Sequence, residues 1–167
     1  MRECRVLIAG IGNVFLGDDG FGPEVLRRMT GVSLPPGTRA VDFGIRGVHL
    51  AYELLDDWDA LVLVDALPNR GAPGTIRVFE VDPERIARGG GLDAHGMDPA
   101  AVFACLDALG GTLPRTVVVG CQVAAVEDGI GLSGEVAAVV DDAAATVAAV
   151  VAELGAPVAA RPPGVGD

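Results

Sequence analysis

The sequence contains no lysine; all 12 of its basic residues are arginine. That absence excludes every mechanism needing a lysine amine, among them a P-loop nucleotide site, a Schiff base to a carbonyl substrate and a lysine general base. Aromatic residues make up only 4% of the chain, so the core must be filled by Ala, Val, Leu and Ile, a composition that suits buried parallel strands and closely packed helices. Cysteine is as scarce. Cys4, Cys105 and Cys121 are odd in number, widely spaced and form no C-x-x-C pair, which argues against a disulfide framework or a structural zinc site. Ser33 and Ser133 are the only serines, and neither G-x-S-x-G nor H-E-x-x-H occurs, so the usual serine and zinc hydrolase motifs are missing. No apolar run reaches the roughly 18 residues of a membrane span. The short run Val6 to Ile11 behind Arg2, Glu3 and Arg5 is not a secretory signal, and the expectation is a soluble cytoplasmic protein with no membrane partner.

What is present is acid. Asp and Glu number 23, the formal net charge is −11 and the pI is about 4.4, so the chain repels phosphate backbones and a nucleic-acid partner is not expected. Half of the 167 residues are hydrophobic. A chain of this size buries about two-thirds of its unfolded surface and suits one domain. The expected organisation is a single α/β domain over residues 1–155. Residues 156–167, with three prolines and two glycines, form a tail expected to fray.

Two periods alternate along the chain. Arg5 to Ala9 reads as a strand and Gly20 to Met29 as a helix; Thr38 to Asp42 and Val48 to Leu55 repeat the pair. Ala60 to Val64 is the most strand-like run, closed by Asp65. The Pro- and Gly-rich stretch from Leu67 to Gly96 carries one strand at Thr75 to Val81 and reads as an excursion over the sheet. Asp98 to Leu109 is a helix, Thr116 to Gly120 a strand. Val136, Val139, Val140, Ala143, Val147, Val150, Val151 and Leu154 mark a five-turn final helix, with Ser133 as its N-cap. The fold class is α/β, a three-layer sandwich with a mostly parallel central sheet flanked by helices.

In such folds ligands sit outside the carboxyl ends of the strands. The residues there are Gly10 to Asp19, Asp42, Asp65 and Cys121-Gln122, a list dominated by carboxylates. The first loop, Gly10-Ile-Gly-Asn-Val-Phe-Leu-Gly-Asp-Asp-Gly-Phe-Gly22, starts like a dinucleotide fingerprint but has Phe15 where G-x-G-x-x-G needs glycine. Asp18 and Asp19 at the helix start would repel a phosphate while benefiting from the helix dipole themselves, so no nucleotide is expected. Asp18 reads more simply as a helix cap. Asp19 and Asp65 read as functional, because a lone carboxylate closing an apolar strand must be paired, hydrogen-bonded or bound to a cation. Of the two histidines, His95 in the loop Gly89 to Gly96 is the better ligand candidate and His49 a surface or core residue. Two carboxylates and one imidazole suit a borderline divalent metal with positions left open for substrate. Cys121 is a nucleophile by position alone.

The blocks Gly10-Ile-Gly-Asn13, Gly17-Asp-Asp-Gly-Phe-Gly22, Leu61-Val-Leu-Val-Asp-Ala66, the loop His95, and Val119-Gly-Cys-Gln122 leading to Gly131-Leu-Ser133 resemble the nickel-iron hydrogenase maturation endopeptidases. The resemblance spans about Arg5 to Leu154. It implies a hydrolase of aspartyl type that removes a C-terminal peptide from the hydrogenase large-subunit precursor after nickel insertion. By the same resemblance Asp19, Asp65 and His95 contact nickel delivered in the substrate and serve as catalytic residues, with Asn13, Asp18 and Asp42 in support. The chain departs from many relatives at Val123, where they have proline, and at Asp42-Phe-Gly-Ile-Arg-Gly47, where they have an Asp-Gly-Gly-Thr type of block. Three other readings stay open: a related metal-dependent peptidase with another precursor, a non-catalytic metal-sensing chaperone of the immature subunit, and a small nucleotide-binding α/β module, against which Asp18 and Asp19 argue.

Overall fold

A computed structural model describes residues 2–84 and 99–155. His95 and the tail 156–167 lie outside the described residues. The sheet is built from β1 (Val6–Ile11), β2 (Thr38–Gly44), β3 (Ala60–Leu67), β4 (Ile76–Glu80) and β5 (Arg115–Gln122). Its order is β2-β1-β3-β5-β4, parallel throughout except for β4, which runs antiparallel to β5 at the edge. Among the described residues the α-helices are α1 (Phe21–Arg28), α2 (Gly47–Glu53), α3 (Pro99–Ala108), α4 (Gly134–Ala137) and α5 (Val140–Gly155). The strand expected at Thr75 to Val81 within the Pro- and Gly-rich stretch is β4, at the sheet edge; residues 85–96 of that stretch lie outside the described residues.

Strand alternation divides the core into two layers. Val6, Ile8, Val62, Val64, Val117 and Val119 pack against α1 and α5, while Leu7, Ala9, Leu61, Leu63 and Val118 pack against α2 and α3. Central parallel strands covered on both faces must be apolar at every position, and all six residues of β1 are buried. Each fully buried Val, Leu or Ile contributes about 1.5–3 kcal/mol, which lets a core poor in aromatics hold three layers together. Among the described residues no helix is long and apolar enough to cross a membrane.

The final helix differs from its periodicity. It is broken between Ala137 and Val140 into α4 and α5, although Val136 and Val140 stay on the buried face. Ser133 occupies the N-cap position of α4 but makes no side-chain capping bond. Its hydroxyl is engaged by Asp18 instead, so a tertiary contact overrides the local one.

Candidate active site

The chain leaves β1 to build β2 on one side, then crosses to build β3 on the other. The carboxyl ends of β1 and β3 therefore flank the point where strand order reverses, and that is where open α/β sheets place their ligands. Asp65 sits near the end of β3. It follows Leu61 and Leu63 in the alternation, which puts it on the face covered by α2 and α3. Asp19 sits on the loop after β1, in a 3-10 turn spanning Gly17–Gly20 that precedes α1 and packs on β3.

Two glycines permit this approach. Gly12 has φ +142, and a Cβ there would run into the Asp19 carbonyl. A Cβ on Gly22 would collide with the carbonyls of Ile11 and Val64, the latter one residue before Asp65. These two glycines, of which Gly12 belongs to the fingerprint-like start of the loop, therefore serve close packing of the Asp19 turn and α1 against the strand ends.

Asp19 and Asp65 are only 3% and 6% exposed. The Asn13 backbone N–H donates to Asp19 Oδ2 at 2.8 Å, and the Asn13 side chain accepts from the Phe15 N–H at 2.9 Å, closing the turn that aims it. Asn13 thus orients Asp19 through its backbone. Among the described residues no three His, Cys, Asp or Glu side chains gather as a metal-binding group; His95, the third expected donor, lies outside them.

Asp18 is not a helix cap. At 1% exposure its Oδ2 accepts from Ala124 N at 2.8 Å, Ala125 N at 3.2 Å and Ser133 Oγ at 2.8 Å, and its Oδ1 accepts from Ser133 N at 2.6 Å. Burial alone would raise its pKa, but the bonds from Ser133, Ala124 and Ala125 outweigh it and hold the carboxyl below the usual range. The carboxylate pins the loop after β5 to the turn that carries Asp19. Asp42 is exposed and accepts from the Gly44 N–H in its own strand end; His49 is an exposed residue of α2.

Sequence reasoning placed Gln122 at the functional edge but gave it no task. Its Oε1 accepts from Arg70 N at 3.0 Å and Ala72 N at 3.2 Å, tying the turn after β3 to β5. The signal was a lone amide ending the apolar run Val117 to Cys121. Cys121 is fully buried, and burial, with the Asp18 charge behind it, pushes its thiol up to about 11. A protonated thiol is a poor nucleophile, which removes the cysteine reading. Native protein at pH 8 should leave Cys121 unmodified by iodoacetamide in a peptide map, and Cys121→Ala should keep wild-type turnover; rapid labelling with loss of activity would reverse this assignment.

Fold and site together define an α/β protein with two buried carboxylates, Asp19 and Asp65, at the switch point of its sheet. The hydrogenase maturation protease model matches residues 23–150, and the chain belongs to that family. A Methanocaldococcus jannaschii relative, provisionally named a hydrogenase maturation protease, is 36% identical over 147 residues, covering 86% of this chain and 94% of the relative. The hydrogenase 2 maturation protease of Escherichia coli is 26% identical over 90% of this chain and 93% of its own length. The solved structure of the E. coli hydrogenase maturating endopeptidase HybD superposes with a TM-score of 0.75 at 28% identity, covering 90% of this chain and 94% of HybD. The chain is accordingly a hydrolase, as its relatives are proteases and endopeptidases.

Proposed function

We propose that this protein removes a C-terminal peptide from the precursor of a nickel-iron hydrogenase large subunit after nickel has been inserted. The observation that carries the reading is the pair of buried carboxylates, Asp19 and Asp65, at the carboxyl ends of adjacent strands on either side of the switch point.

Asp19, Asp65 and His95 recognise the nickel that the substrate already holds on its thiolates. Oxygen and imidazole donors complement that softer set on a borderline divalent ion. The substrate's nickel then serves as a recognition element, and such an ion can polarise a scissile carbonyl. Asn13 orients Asp19 and Asp18 holds the neighbouring loop, the supporting role that outer partners of metal ligands play. The reaction belongs in the cytoplasm, in keeping with three free cysteines, Cys4, Cys105 and Cys121.

The test is to mix the protein with nickel-loaded and nickel-free large-subunit precursor and follow both by intact mass. The loaded precursor should lose a C-terminal peptide and the nickel-free one should not. Equal processing of both would sink nickel recognition, and binding without any mass change would make the protein a chaperone.

A further inference from the structure

Three large apolar side chains are exposed where little requires it: Ile130 is 80%, Phe15 63% and Val14 42% exposed. They belong to two loops, the one after β1 that leads into the Asp19 turn and the one after β5 that pairs with it. The loops are tied together by backbone: Gly129 N donates to Phe15 O at 2.9 Å, Gly17 N donates to Gly129 O at 2.9 Å, and Leu16 bridges Gly129. Asp18 pins the same pair from beneath. The patch is therefore held in register with Asp19 by a hydrogen-bonded frame.

Val14 and Ile130 also line a hollow of about 260 Å³, shared with Leu132, Val140, Gly17 and Gly20 of the Asp19 turn, and Glu24 and Arg28; Arg28 is held there by ion pairs to Glu24 at 3.5 Å and Asp141 at 2.9 Å. That volume lies below the roughly 300–1,000 Å³ of small-molecule sites and suits one apolar side chain. Beside it stand the exposed Glu127 and Asp128, with the Glu127 backbone packed on Gly17. With Arg28 already paired to Glu24 and Asp141, Glu127 and Asp128 on a chain of net charge −11 leave this side of the patch acidic, which favours a partner surface that carries cationic groups.

We infer that Val14, Phe15 and Ile130, bordered by Glu127 and Asp128, dock the protein substrate through a segment that places an apolar side chain in the hollow and a basic one against the acids. This specificity surface rests on the function proposed above. A segment seated there lies on the same turn as Asp19, so docking and cleavage share one rigid frame. A few buried aromatic or aliphatic anchors dominate most protein interfaces, whereas rim charges act mainly on association rate and salt dependence.

The test uses full-length Asp19→Asn protein as a non-cleaving binder and nickel-loaded precursor as the probe, with affinity read by calorimetry. Adding Phe15→Ser and Ile130→Ser should weaken binding at least tenfold while the melting temperature stays put, because both side chains are already in water. Adding Glu127→Gln and Asp128→Asn instead should weaken binding at low salt and converge on the parent near 0.5 M salt, where the Debye length falls to roughly 4 Å. Unchanged affinity in both variants overturns the inference. So does a wild-type dimer in sedimentation that Phe15→Ser dissolves with precursor affinity intact, since the patch would then join two copies of this chain. If Asp19→Asn itself still cleaves, the functional reading fails whatever the patch does.

Discussion

Asp19→Asn and Asp65→Asn should each abolish precursor processing while leaving the fold in place, a loss of roughly 10²–10⁴-fold as is usual for a group acting directly on the reaction. Asparagine keeps the shape and one carbonyl acceptor, so the Asn13 N–H that holds Asp19 Oδ2 at 2.8 Å retains a partner. What disappears is the negative charge beside the strand ends. Charge is what a bound cation recognises, and a neutral amide oxygen is a weaker donor to it. The melting temperature should move little, because the isosteric amide keeps the packing of the buried side chain. The assay is single-turnover cleavage of nickel-loaded precursor followed by intact mass, with thermal unfolding in parallel. A variant that processes at the wild-type rate removes that residue from the site.

Asp18→Ala should act in the opposite sense, on stability first. Truncation leaves the N–H groups of Ala124, Ala125 and Ser133 and the Ser133 hydroxyl without their shared acceptor. Unsatisfied buried donors cost about 1–3 kcal/mol each; water entry after truncation spares part of the sum, giving about 3–5 kcal/mol in total. For a chain of this size that lowers the melting temperature by roughly 6–20 °C. Asp18→Asn is no rescue, since its amide N–H₂ must face a backbone N–H or the shared donors at Oδ2. The pH dependence follows from the direction of the shift. The folded pKa of Asp18 is depressed, so its ionisation contributes stability that is fully present above the ordinary carboxylate value of about 4 and is lost as pH falls through the folded value. Wild-type protein should therefore lose stability below about pH 4 more steeply than Asp18→Ala, and the gap between them should narrow in acid. Parallel acid limbs in urea titrations would falsify this account of Asp18.

Asp18 also shows where local reading stops. From spacing alone it is a helix cap, and neighbouring Asp19 is the functional residue. The structure keeps the distinction between the two but changes the reason: four donors reach Asp18 from residues 106 to 115 positions away. No local pattern encodes that distance. Ser133 is the same contact seen from the other end, a good N-cap by type whose hydroxyl is committed elsewhere. The break between α4 and α5 escaped the periodicity because Val136 and Val140 are both buried on one face, so the apolar spacing continues across the turn at Ala138 and Val139 that interrupts the helix.

The sequence by itself determined the layered α/β class, the carboxylates at the strand ends and the exclusion of lysine chemistry, because each depends on residue type at short range or on total composition. Strand order was another matter. That β1 lies between β2 and β3, which makes the ends of β1 and β3 the switch point, depends on which buried strands pair, and uniformly apolar strands do not encode their neighbours. Only tertiary packing could bring the loop after β5 beneath Asp18, bury Cys121 deeply enough to silence its thiol, and leave Phe15 and Ile130 exposed beside the turn of Asp19.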